Sequence, residues 1–215
     1  MSVFNTTRLP RENKLPVVLI REEVHRVPGN IHVLRHRACL TLIYSCGLRL
    51  SEATRLRVNQ IDSERMLIHI QQAKGRYDRY VPLPKSTLRL LRTHYKTHWN
   101  PVLVFPCLRR AFGRQAAPGG GEAKESAAKK PLPDSSIRTV FKKSLREVGI
   151  SKDARVHTLR HSYATHLLED GVDIRIIQEY LGHQSINTTM IYTQLTTLIK
   201  HGVYQRINNL IDGLA

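Results

Sequence analysis

The chain has 215 residues, 41% of them apolar, with 34 Lys and Arg against 17 Asp and Glu and a formal net charge of +17. That length allows one large domain or two small ones, and the basic excess favours a polyanionic partner, nucleic acid before a membrane surface. No apolar run approaches the ~20 residues that cross a bilayer, the N-terminus MSVFNTTRLPRENKLP has no apolar secretion core, and Cys39, Cys46 and Cys107 form no C-x-x-C pair. A membrane span, a disulfide framework and a zinc knuckle are therefore set aside, and a cytoplasmic, reducing location is expected.

Residues 1–16 are polar, basic and punctuated by Pro, as in an arm or linker. A short helix is predicted around residues 21–27, broken by Pro28-Gly29. Ile31, Leu34, Ala38, Leu42 and Ile43 then recur at helical spacing and stop at Gly47. Ser51 can cap a further helix carrying Ala53 and Leu56. Between the two lies the turn CGLRLSE, with Arg49 followed three residues later by Glu52.

The period changes over residues 66–83, MLIHIQQAKGRYDRYVPL. Alternation of Ile68 and Ile70 with Leu67, His69 and Gln71 predicts a β-hairpin turning at Lys74-Gly75. Arg76 and Arg79 are placed there as residues that can reach DNA phosphates. Leu88, Leu91 and Tyr95 predict a helix over 86–99, and a short apolar segment follows at 102–105. Residues 109–133, rich in Gly, Ala, Lys and Pro, predict a mobile surface insertion. Asp134 or Ser135 then caps a helix running through Val140, Leu145 and Val148 to Gly149.

The most informative stretch is 157–192, HTLRHSYATHLLEDGVDIRIIQEYLGHQSINTTMIY. Leu159, Tyr163, Ala164, Leu167 and Leu168 make one helix, ended by Gly171. His157 and Arg160, three apart near its start, share a face beside the helix N-terminus, a corner suited to an anion. Asp173 caps the next helix, with Ile174, Ile177 and Leu181 apolar, Gly182 as its stop and His183 in the turn beyond. Ser185 caps a third that delivers Tyr192. A cationic corner facing a tyrosine suits attack of a phenol oxygen on a phosphodiester.

H-T-L-R-H-S-Y-A-T-H-L-L, then L-G-H, then Tyr192 resembles the C-terminal signature of the tyrosine recombinase (phage integrase) family, and G-L-R-L-S-E around Arg49 resembles its first arginine box. The resemblance covers about residues 15–195. It implies an α+β fold, mostly helical with a small antiparallel sheet whose hairpin lies near 66–83. The catalytic domain then runs over 17–195, followed by a C-terminal helix over 196–215 that folds back on its own domain or docks on a neighbouring protomer. It also implies a site-specific recombinase or integrase of mobile genetic elements, which cuts and rejoins double-stranded DNA through a 3′-phosphotyrosine, without metal or ATP. Self-association as a synaptic tetramer on DNA goes with that activity. Carried over residue by residue, the catalytic set is Arg49, Lys74, His157, Arg160, His183 and the nucleophile Tyr192, with Glu52 in support. Arg49 and Arg160 offer paired donors to the non-bridging oxygens. His183 and His157 can add a hydrogen bond, His157 is the candidate base and Lys74 the candidate acid. Members of the family usually carry an N-terminal core-binding domain; about 15 residues precede the catalytic domain here, as expected of a catalytic fragment or of a short recombinase.

Three other readings compete. His157, His161 and His166 suggest zinc, but Thr158 stands where an H-E-x-x-H glutamate would. Residues 173–195 suggest a non-enzymatic helix-turn-helix DNA-binding protein, which needs no Arg49, Lys74 or Tyr192. A type IB topoisomerase shares the tyrosine chemistry without exchange of partner strands.

Overall fold

A computed structural model of the chain describes residues 16–71, 78–107 and 128–194. Within them, helices α1 (Arg21–Gly29), α2 (Leu34–Ser45) and α3 (Leu50–Thr54) lead into strands β1 (Ile61–Asp62), β2 (Leu67–Ile70) and β3 (Arg79–Pro82). Helices α4 (Lys85–Tyr95), α5 (Asp134–Glu147), α6 (Val156–Glu169), α7 (Ile174–Leu181) and α8 (Asn187–Met190) follow, and a 3-10 turn, Ile191–Gln194, carries Tyr192. The architecture is the mostly helical α+β arrangement that the family resemblance implies, with one three-stranded antiparallel sheet ordered β1-β2-β3 among the described residues.

Helix α2 is the hub. Ala38, Cys39, Leu40, Leu42 and Ile43 are all essentially inaccessible, so the helix is buried on more than one side. It packs against α1, α4, α5 and α6. The principal core gathers these residues with Val24, Val27, Ile68, Val81, Leu91, Phe105, Phe141 and Leu159. A second, smaller core joins Ala164, Leu168, Ile177, Leu181 and Tyr192. Helix α6 belongs to both: Val156 and Leu159 face the first, Ala164 and Leu168 the second. It therefore fixes the C-terminal elements to the body.

Capping follows the sequence at some ends and departs from it at others. Asp173 Oδ1 accepts from the Arg175 N–H at 2.6 Å, the predicted cap of α7. Ser185 Oγ accepts from the Asn187 N–H at 3.3 Å ahead of α8. Ser51, however, lies inside α3. The helix starts two residues earlier, with Arg49 as its N-cap, and Glu52 at the third helical position reaches back to the Arg49 N–H at 2.8 Å, as in a capping box.

The sheet register decides the fate of Arg79. Ile68 pairs with Val81 and Ile70 with Arg79, two steps apart on the same face. Arg79 consequently shares the core-facing side with Ile68, Ile70 and Val81 and is 6% exposed. The expectation that it reaches DNA phosphates is corrected: its guanidinium points into the protein. Lys74, Gly75 and Arg76 lie outside the described residues, as do 196–215 and most of the predicted insertion. Residues 128–133 of that insertion are packed. The Cys107 N–H donates to the Lys130 carbonyl at 2.7 Å, the Leu132 N–H to that of Phe105 at 2.9 Å, and Leu132 is buried.

Candidate active site

Glu52 sits at the centre of a cationic corner. Its carboxylate accepts from Arg49 Nη1 at 2.8 Å, and from Arg79 Nη1 at 3.1 Å and Nη2 at 2.8 Å in a forked pair. Arg160 Nη1 stands 3.9 Å away. Burial alone would raise the Glu52 pKa. The bonds and charge of Arg79, with the backbone and side chain of Arg49, overcome it and pull the value down to about 2. Three guanidiniums share one carboxylate, so the corner keeps an excess of positive charge.

Arg160 projects from the first turn of α6 into the junction between the α2–α3 turn and the end of α7. Nη1 donates to the Gly47 carbonyl at 2.8 Å, and Nη2 to the Leu181 carbonyl at 2.5 Å and toward His183 Nε2 at 3.1 Å. Its side chain is 1% exposed. Burial and the Arg49 charge push its pKa down, opposed by Glu52; with two carbonyls and a carboxylate around it, the guanidinium stays charged. Gly47 itself lies in a turn packed against Tyr163. Its φ is +60°, and a Cβ there would lie 2.5 Å from Tyr163 Cδ1. Arg79 Nε meanwhile donates to the Tyr180 carbonyl at 2.8 Å. Two arginines thus hold the last carbonyls of α7, the negative end of its dipole, and the L-G-H turn is anchored from below.

That turn presents His183. Nε2 faces Arg160, a cation with no acceptor, so Nε2 accepts and the ring proton is on Nδ1, which donates to Thr189 Oγ1 at 3.0 Å. Burial, then the charges of Arg160 and Arg49, lower the His183 pKa to about 4 and keep the ring neutral. Its plane is 18° from that of Tyr192, with centroids 6.5 Å apart.

Tyr192 is 1% exposed, its ring seated in the second core. Its hydroxyl lies 3.0 Å from His161 Nδ1. Burial raises the phenol pKa, while Arg160 and Arg49 pull it back. His157, the candidate base from the sequence, is exposed at the start of α6 and meets His161 edge-on at 4.5 Å. The hydroxyl's partner is thus the histidine four residues further along the helix. The structure brings Arg49, Glu52, Arg160, His157, His183 and Tyr192 into one corner, moves Arg79 inside it and adds His161. Among the described residues, no group of three or more His, Cys, Asp or Glu is arranged to hold a metal ion, and no helix is long and apolar enough to cross a membrane.

Glu52 gives this corner a pH signature. Its folded pKa of about 2 lies below the ordinary 4.5. The stability it contributes is therefore full above pH ~4.5 and lost as pH falls toward 2, about 3 kcal/mol in all. Glu52→Gln leaves Arg79 buried without its counter-charge and costs on the order of 3–5 kcal/mol near neutrality. In urea titrations from pH 7 to pH 3, the stability gap between wild type and Glu52→Gln is expected to narrow with acid. A constant gap means that the carboxylate charge is not what stabilises the fold.

Comparison with known proteins places the sequence and the fold. A tyrosine recombinase, XerA, of Pyrococcus horikoshii is 35% identical over 184 residues, covering 85% of this chain and 58% of that protein. A tyrosine recombinase of Thermosipho africanus is 31% identical over 197 residues, covering 90% of this chain and 62% of the relative. The chain thus spans less than two thirds of the length of these curated relatives. The crystal structure of a XerA recombinase superposes with a TM-score of 0.71 at 25% identity, over 90% of this chain and 65% of that one. A XerH site-specific recombinase bound to a palindromic difH substrate shares the fold, with a TM-score of 0.69 at 24% identity, over 89% of this chain and 53% of that one. The model of the phage integrase family matches residues 18–198, from just before α1 to just beyond the Tyr192 turn, and the chain belongs to that family.

Proposed function

We propose that this chain carries the catalytic domain of a site-specific DNA recombinase that cuts and rejoins strands through a 3′-phosphotyrosine on Tyr192. The observation that carries the reading is the placement of the Tyr192 hydroxyl beside a corner where Arg49, Arg79 and Arg160 outnumber the carboxylate of Glu52. The partner is double-stranded DNA, in keeping with the net charge of +17. Strand exchange takes place in a synaptic tetramer, in the cytoplasm.

Catalysis is electrostatic preorganisation. The scissile phosphate docks on Arg49, whose side chain is the more open of the two family arginines at 26% exposure against 1% for Arg160. His157, exposed at the N-terminus of α6, offers a further donor. A phosphoryl oxygen displaces the Arg160–His183 contact, and Arg160 Nη2 turns to that oxygen. His183 then donates from Nε2 after its ring proton passes from Nδ1 to Nε2 by exchange with solvent, and Thr189 Oγ1 donates to the bare Nδ1 by rotating its hydroxyl. Glu52 and Arg79 do not touch the phosphate; they hold Arg49 and the L-G-H turn in place. As the Tyr192 oxygen bonds to phosphorus, the bond to the 5′ oxygen breaks and Lys74 protonates that oxygen. The phosphodiester energy is kept in the tyrosyl linkage, so religation needs neither ATP nor metal.

The test begins with a library of nicked duplexes, randomised around the nick, from which SDS-resistant complexes are recovered and sequenced. The recovered sequence is then made with sulfur at the bridging 5′ position, a leaving group that needs little protonation. Lys74→Ala is expected to be slow on normal DNA, on the order of 10²–10⁴-fold, and largely restored on the sulfur substrate. Arg49→Ala is expected to stay slow on both, because it acts on the non-bridging oxygens. Lys74→Ala at the wild-type rate on normal DNA moves the acid elsewhere, and equal slowness on both substrates makes Lys74 a binding residue.

A further inference from the structure

When the Tyr192 oxygen bonds to phosphorus its proton has to leave. His157, the candidate for receiving it from the sequence, is exposed beside the phosphate corner, and the hydroxyl touches His161 Nδ1 at 3.0 Å. We infer that His161 is the catalytic base that receives the Tyr192 proton, and that His157 serves the phosphate. The inference rests on the covalent mechanism proposed above and names a residue for its first proton transfer.

Geometry carries it. The 3.0 Å separation is within direct proton-transfer range. Both partners are held before any substrate arrives. The Tyr192 ring is 1% exposed among Ala164, Ile177 and Leu181, and His161 is on α6, the helix that also positions Arg160. His157 packs its ring edge-on against His161 and limits how far the imidazole can turn. The base is thus fixed to the same rigid element as the arginine that serves the phosphoryl group.

The charges around His161 give it a substrate-dependent basicity. Its own helix contributes His157 and Arg160, the 3-10 turn contributes Tyr192, the turn after α7 His183, and Arg49 lies beyond. Burial, then His157 and Arg160, hold the His161 pKa down to about 4, so the ring is neutral at neutral pH, and in its Nε2–H tautomer Nδ1 accepts from the phenol. A docked phosphodiester brings a negative charge to the same corner. It offsets the guanidiniums and makes His161 more basic when a base is needed. The step balances: the Oη–H proton passes to Nδ1, the Oη–P bond forms, the P–O5′ bond breaks and Lys74 supplies a proton to the 5′ oxygen. Religation reverses each transfer and returns the proton from His161 to Tyr192.

The experiment uses the full chain in single-turnover cleavage of the nicked duplex recovered from the library, from pH 5.5 to 9. His161→Asn keeps a polar atom near the Nδ1 position and cannot accept a proton. It is expected to bind the duplex as wild type does and to cleave about 10²–10⁴-fold more slowly at pH 7, with a rate that climbs with pH as Tyr192 ionises to solvent. In His161→Ala, added imidazole is expected to restore part of the lost rate. Wild type is expected to be flat over neutral pH. His161→Asn cleaving at the wild-type rate with the wild-type pH profile overturns the inference. So does a loss that is equal at every pH and unaffected by imidazole in His161→Ala, which makes His161 a packing residue. A wild-type chain that attaches to no member of the nicked library, although it binds DNA, overturns the covalent reading itself and not only the assignment of the base.

Discussion

Tyr192→Phe is expected to abolish covalent attachment to DNA while leaving the fold and DNA binding as they are. The two consequences separate because the ring and the hydroxyl have separate tasks. The ring fills the second core with Ala164, Leu168, Ile177 and Leu181, and phenylalanine fills it equally. The hydroxyl bonds to His161, and losing that bond costs about 1 kcal/mol. A labelled nicked duplex and an SDS gel read the adduct; thermal melting and a binding titration read the rest. Wild type is expected to give a slow-migrating labelled band and the Phe variant none, with melting temperatures within a few degrees. A band that survives in Tyr192→Phe places the nucleophile elsewhere, with Tyr180 and Tyr204 as the next candidates.

Arg160→Ala is expected to fail twice. Its guanidinium is buried and holds the carbonyls of Gly47 and Leu181, so truncation strands two acceptors and removes a charge that balances Glu52. Loss of one partner from such a buried group costs on the order of 3–5 kcal/mol. Cleavage by whatever remains folded is expected to drop by about 10²–10³, the usual consequence of losing one preorganised donor. Arg49→Ala is the contrast. It lies nearer solvent, with one side-chain bond to Glu52, so its activity loss should be similar and its stability loss much smaller. Urea denaturation beside single-turnover cleavage separates the two variants. Equal stability losses contradict the division between a buried and an open arginine, and unchanged cleavage in Arg160→Ala removes it from the catalytic set.

Much of this corner is legible in the amino-acid pattern alone. The helices that carry it have apolar residues at clear spacing, and Asp173, Gly171 and Gly182 punctuate them, which is why α6 and α7 stand where the pattern predicts. Arg79 escapes that pattern for a definite reason. An arginine near a hairpin tip reads as solvated, and only the pairing of Ile70 with Arg79 turns it inward. His161 is a different case. It follows Arg160 directly, and neighbours on a helix point about 100° apart, so the spacing does not place it on the phosphate face. Its i,i+4 relation to His157 suggests a metal pair, whereas the fold gives it the Tyr192 hydroxyl. Glu52 reads as a support for local cations, but not as the group three arginines share, because Arg79 and Arg160 reach it from 27 and 108 residues away. Residues 128–133 look like the end of a loop by composition, and their backbone bonds to Phe105 and Cys107 depend on a strand-like edge no local pattern announces.

The proposed function rests on Tyr192 as the residue that joins the protein to a DNA 3′ end. The most direct measurement is to trap the complex on the nicked library, digest the protein and the DNA, and identify the modified peptide and its nucleotide by mass spectrometry. The expected result is one adduct, a nucleotide joined through its 3′ phosphate to the tyrosine of the IYTQ segment. An adduct on any other residue, or a link through a 5′ phosphate, would contradict it.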